Sequence, residues 1–463
     1  MVDMCLRDAT LVTPTGLRRA HLLVAGGRIA DIVEFGEAGA GGAGAGAAGA
    51  QPAPLPAARA TIECGGLHVL AGAIDAHVHF REPGLSYKED WDTGSRAAAC
   101  GGVTTVLDMP NVQPPTRDPA ALAMKLACAR GRSFVNFGLY GVIADDGPEA
   151  VLPLVRAGVI GFKVFLGETV GGIPSPDDGA LLAAMRVVAG AGLRVGVHAE
   201  NNALLRWFGD EVRASGRRDP LAHPDARPVI AESEATSRAI LLAREAGCPL
   251  TVHHVTCAPA AEHVRAARAR GQDVVGETCP QYLLLSADDM ARLGPMMKIN
   301  PPVRGPGHAE ALWEALRAGG LSMVGSDHSP HALEEKQGDI WQAAAGWPGV
   351  ETLLPLMLTA AVEGRCTLSD VARWLGEAPA RTWGLWPKKG NLAVGADADL
   401  TVCDLGHHGV VRAEGLHSKH RFTAFEGRTL RARVVATLVG GEIAMRGGEV
   451  VGPPRGQWLR PSE

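Results

Sequence analysis

From about residue 66 onward, runs that are apolar at every position alternate with Ala-, Leu- and Arg-rich stretches of helical character. "GVTTVLDM" precedes "PAALAMKLACARG", "VIGFKVFLG" precedes "DDGALLAAMRVVAGAG", and "LRVGVHAE" precedes "EATSRAILLAREAG". "PLTVHHVT", "APAAEHVRAARARG", "QDVVGETC" and "LSMVGSDHS" continue the series. Strands apolar on both faces, interleaved with helices, predict a parallel sheet covered by helices. Near eight such units predict an α/β fold closed as a TIM (β/α)8 barrel over residues 66–387. Both ends of the chain keep a different rhythm of short strands broken by Gly and Pro turns. Residues 1–65 and 388–463 are therefore expected to pair into a small β-sandwich-like domain. The Ala/Gly/Pro tract at 36–60 has few side chains to pack and reads as a flexible loop within it.

Composition narrows the partners. A formal charge of −5 over 463 residues gives no basic footprint for nucleic acid and no polybasic membrane patch. No apolar run approaches a membrane span, and the start "MVDMCLRDATLV" lacks the pattern of a signal peptide. Nine cysteines without CxxC spacing predict free thiols and a cytoplasmic setting.

In such a barrel the chemistry sits where strands end. "DAHVHF" ends in His77 and His79, which alternate in an extended segment and so reach one ion from the same side. Other runs end in His198, in His253 and His254, and in Asp327, His328 and His331. One such histidine alone is usually structural; four strands ending this way predict a metal centre, with zinc first and manganese, cobalt or iron as alternatives. Lys163 stands inside an apolar strand, where an ammonium is expensive. A salt-bridged or snorkelling lysine is the bland reading. A desolvated, neutral amine can instead add CO2 and become a carbamate able to bridge two metals, and the histidine cluster favours that.

The motifs "DAHVHFREPG", "GGVTTVLDMPN", "GFKVFLGE", "VHAEN", "HHVT", "KINPPVR" and "GSDHSPH" together resemble the cyclic-amide hydrolases of the amidohydrolase superfamily: dihydroorotase, hydantoinase/dihydropyrimidinase and allantoinase. The resemblance covers nearly the whole chain. It implies two divalent metal ions, the first held by His77, His79 and Asp327 and the second by His198 and His254, with carboxylated Lys163 between them. His253 is then expected to face the other way as a structural residue. Metals of this kind supply a water-derived nucleophile at neutral pH, with Asp327 as general acid and base. Arg81, Asn111 and His331 match positions where dihydroorotases grip a substrate carboxylate, and Asn300 in "KINPPVR" is dihydroorotase-like as well. Arg81 alone would read as a rim residue paired with a carboxylate such as Glu82. Allantoinases usually carry asparagine where Arg81 stands, whereas "GETCPQYLLLS" is similar to hydantoinases. The expectation is a small-molecule cyclic amide as substrate, dihydroorotate first, with hydantoinase, dihydropyrimidinase or allantoinase as alternatives. A mononuclear deaminase fits less well because of Lys163, and a non-catalytic scaffold would have lost the ligands. By the same resemblance the protein is expected to be a homo-oligomer, a dimer or a tetramer.

Overall fold

The computed structural model describes residues 1–35, 55–145, 147–169 and 172–461. The first five strands are β1 (Val2–Thr13), β2 (Gly16–Ala25), β3 (Arg28–Glu34), β4 (Ala58–Glu63) and β5 (His68–Ala71). Of the loop expected at 36–60, residues 36–54 lie outside the described residues, and the last three are not loop at all. Residues 58–60 open β4, which pairs in parallel with β1 and gains backbone partners there.

The barrel strands follow as β6 (Ala73–Val78), β7 (Val103–Asp108), β8 (Asn136–Ile143) and β9 (Gly161–Phe165). Then come β10 (Val195–His198), β11 (Leu250–Val252), β12 (Val274–Thr278) and β13 (Met323–Val324). All eight are fully buried and pair in parallel in sequential order. The ring closes where Val78 bridges His328 in parallel and the His79 N–H donates to the His328 carbonyl at 2.7 Å. Helices on the outside alternate with these strands, as the apolar pattern requires.

The end of the chain adds β14 (Leu400–Asp404), β15 (Gly409–Val410), β16 (Thr429–Leu430), β17 (Arg433–Val439), β18 (Glu442–Arg446) and β19 (Glu449–Val450). Strands β14 and β17–β19 join β1–β5 in one nine-stranded sheet, because β14 pairs antiparallel with β5. Both termini thus build the small β domain, around a core that includes Leu6, Leu11, Leu22, Val69, Leu400 and Leu438.

The N-terminal end of the barrel is plugged. Tyr140 and Trp383 meet edge-on at 4.9 Å there, packed with Ile74, Leu107 and Ile160. Aromatic burial of this kind stabilises by roughly 1.5–3 kcal/mol per side chain. Polar chemistry is left to the opposite end.

Candidate active site

At that opposite end the strand exits surround a cavity of about 590 Å³. His77, His79, Arg81, Asn111, Lys163, His198, His254, Asn300, Asp327 and His331 all line it. Every site residue expected from the sequence is therefore brought to one place.

Alternation along β6 sends Asp75, His77 and His79 to the same side. Asp75 anchors this stretch by accepting from the His77 N–H at 3.2 Å and the Ser326 N–H at 3.0 Å. The His77 Nδ1–H donates to Glu277 Oε1 at 2.9 Å, and the His79 Nδ1–H donates to Asn111 Oδ1 at 2.7 Å. Each hydrogen bond leaves Nε2 with its lone pair inward. Both Nε2 atoms converge on Asp327 Oδ1, at 3.4 and 3.3 Å. Two imidazole nitrogens and a carboxylate oxygen facing one point form a donor set suited to a divalent cation.

A second set lies beside it. The His198 Nε2–H donates to Glu200 Oε2 at 3.0 Å, so its Nδ1 points a lone pair at His254 Nε2, 3.0 Å away. Glu200 itself accepts from Arg227 Nε and Nη2, at 3.1 and 2.5 Å. Burial opposes ionisation of Glu200, yet Arg227 and His198 overcome it and hold the carboxyl far below the ordinary range.

Lys163 is fully buried, and its Nζ has no hydrogen-bond partner. Burial pushes its pKa well below that of an ordinary lysine, against the pull of Glu277 and Asp327. Burial likewise raises the Asp327 carboxyl, with Lys163, His198 and Arg81 pulling the other way. An ammonium without partners would be costly here. The residues present fit two cations with a negatively charged group on Lys163.

His253 does not turn to the opposite face. Its ring stays inside the barrel, donating through Nδ1 to Glu277 at 3.0 Å and stacking on Trp383. Two consecutive histidines can both point inward because His254 has φ +39°, which breaks the strand alternation. Gly196 provides the room, since a Cβ there would stand 2.1 Å from His253 Nε2. Arg81 and Asp327 also adopt left-handed backbone, with φ +63° and +48°.

The substrate-facing residues are placed less simply. Asn111, held through its oxygen by His79, directs its amide group towards Thr169 Oγ1, 3.5 Å away. Asn300 Oδ1 is buried without a partner. Arg81 is also buried, so the rim reading does not hold. It donates from Nε to the Pro330 carbonyl at 3.1 Å and leaves Nη1 unpartnered. His331, by contrast, is fully engaged: Nδ1 accepts from Lys88 Nζ at 3.0 Å and Nε2–H donates to the Ala345 carbonyl at 3.1 Å.

Residues 68–444 match the Amidohydrolase family. The chain belongs to that family. Among solved structures the amidohydrolase fold is shared with "L-Hydantoinase (Dihydropyrimidinase) from Arthrobacter aurescens", at TM-score 0.92 and 35% identity over 99% of this chain and 100% of that one. An allantoinase from Rubrobacter xylanophilus is 42% identical over 87% of this chain and 90% of its own. A dihydroorotase from Methanothermobacter thermautotrophicus is 39% identical over 84% of this chain and 87% of its own. The protein is accordingly a metal-dependent amidohydrolase acting on cyclic amides. The expectation that dihydroorotase is the nearest member of the group is corrected, because the hydantoinase and the allantoinase match more of this amidohydrolase. Among the described residues no helix is long and apolar enough to cross a membrane.

Glu277, Glu200 and Arg227 were not among the residues singled out from the sequence. Glu277 was within reach, since it is the polar residue near the end of the apolar run "DVVGET".

Proposed function

We propose that the protein hydrolyses a five-membered cyclic ureide of the hydantoin or allantoin type. The observation that carries this is the engagement of His331 by Lys88 and Ala345. One of the three groups expected to grip a ring carboxylate is thereby already occupied. Besides Arg81 Nη1, what remains for a ligand is the free acceptor of Asn300 and the hydrogen of the Asn111 amide that Thr169 does not take, and these two suit the neutral N–H and C=O groups of a ureide. The names of the hydantoinase and allantoinase relatives support the same reading.

Two divalent cations, zinc first, would supply a nucleophile from water and polarise the ring carbonyl. His77, His79 and Asp327 would hold one, and His198 and His254 the other. Lys163 would lie between them as a carbamate: its neutral amine adds CO2 and loses one proton, leaving an anion with two oxygens. The unpartnered, desolvated Nζ supports this step. Asp327 would take a proton from the attacking water and return it to the ring nitrogen as the C–N bond breaks.

A second reading rests on Arg81. Its buried, unpartnered Nη1 would favour a carboxylated six-membered ring such as dihydroorotate. The deciding experiment is a comparison of kcat/KM on allantoin, a 5-substituted hydantoin, dihydrouracil and dihydroorotate. Preference for allantoin or the hydantoin upholds the proposal, and preference for dihydroorotate transfers it to the second reading.

A further inference from the structure

Outside the lining of the cavity, four chain segments bring a thiol, an imidazole and two carboxylates together. Cys100 ends the helix Trp91–Cys100, and Glu351 lies in the first turn of the helix Val350–Val362. His417 comes from the loop between β15 and β16, and Glu449 opens β19.

Glu351 determines how the imidazole is presented. It accepts the His417 backbone N–H at 2.8 Å and the Nδ1–H at 2.9 Å. Nε2 therefore carries the lone pair, and it faces Cys100 Sγ at 3.7 Å and Glu449 Oε2 at 3.9 Å. The Gly448 carbonyl stands 3.4 Å from the same sulfur. Bonds of about 2.3 Å to sulfur and about 2.0–2.1 Å to nitrogen, at a tetrahedral angle, separate the two donors by roughly 3.5 Å. The observed spacing falls close to that edge. A carboxylate behind the histidine, fixing its tautomer, is the usual support of a metal-bound imidazole.

We propose that Cys100 and His417 bind a divalent cation of borderline softness, zinc first, with Glu351 orienting His417 and the solvent-exposed Glu449 carboxylate, 3.9 Å from Nε2, turning onto the ion as the third ligand. Binding exchanges the Cys100 thiol proton for the metal and releases that proton to solvent, with no change of oxidation state. A sulfur–nitrogen–oxygen donor set selects such an ion over magnesium or calcium. This centre shares no residue with the catalytic set and does not depend on the substrate assigned to it. It would fasten two barrel helices to the last hairpin of the terminal sheet.

Cobalt(II) reports the difference optically, because the catalytic ligands include no thiolate. Full-length protein stripped with a chelator and reloaded with cobalt should show a near-ultraviolet sulfur-to-cobalt band. The band should persist in Lys163→Ala and vanish in Cys100→Ser. Glu351→Gln should keep the fold and weaken cobalt binding at this centre by about 10–100-fold. His417→Gln gives an independent route to loss of the band. Absence of the band in the unmodified chain would overturn the proposal. So would its survival in Cys100→Ser, which would move the signal to another thiol such as the buried Cys279.

Discussion

The two ends of the catalytic cavity differ in how far the chain itself meets their polar atoms. At the metal end, lone pairs are aimed at one another and an amine is buried with nothing to bond. At the other end, His331 is held on both sides by Lys88 and Ala345, and Asn111 by His79. Unmet donors and acceptors in a buried site are costly unless a ligand meets them. The metal end is therefore built around something added to the chain, while part of the recognition end is already satisfied by the chain itself.

The largest expected effect comes from removing the group between the two donor sets. Lys163→Ala should lose bound metal and at least about a thousandfold in kcat/KM, with partial rescue by short carboxylic acids, which can restore a bridging anion. Metal analysis together with rates checks this, and full activity in the variant would refute a carbamate.

Next is the carboxylate behind His77. Glu277→Gln should weaken metal affinity by about 10–100-fold, since the imidazole loses its charged acceptor. Titration with a competing chelator would measure it. An unchanged affinity would mean that the hydrogen bond seen at 2.9 Å does no orienting.

Arg81→Met separates the two readings of the recognition end. For a ureide substrate, KM should change by less than about tenfold with metal content unaltered. A steep rise for a carboxylated ring would mark Nη1 as its anchor.

The smallest effect is on pH stability. Burial alone would raise the Glu335 pKa, but the Lys88 hydrogen bond and the Ala332 N–H outweigh it and bring the carboxyl below its ordinary value. Its contribution is present above the unfolded value of about 4.3 and is lost as pH falls through the lower folded value. Thermal melts across that acid window should show a shallower pH dependence for Glu335→Gln than for the unmodified chain. Parallel curves would remove Glu335 from the account.

The cluster of strand-end histidines was legible because it follows from strand geometry, whereas the choice of His254 over His253 and of Asp327 as a ligand came from the family resemblance. His77 and His79 share a side by period two, and Lys163, His198, His254 and Asp327 each lie in or close to the end of an apolar run. The recognition end was less legible. Whether His331 is free depends on Lys88 and on the Ala345 carbonyl, and no local pattern announces either contact. His253 was misplaced for a related reason: alternation holds only while the backbone stays extended, and at His254 it does not. Residues 58–60 were absorbed into the Ala/Gly tract by their composition, although pairing with β1 makes them strand.

That departure from extended backbone has a wider meaning. Arg81, His254 and Asp327 all hold left-handed conformations that side-chain-bearing residues avoid, at about 1–3 kcal/mol each. A glycine at any of them would relieve that backbone cost while removing the side chain that lines the cavity. Stability and turnover therefore make opposite demands on these three positions.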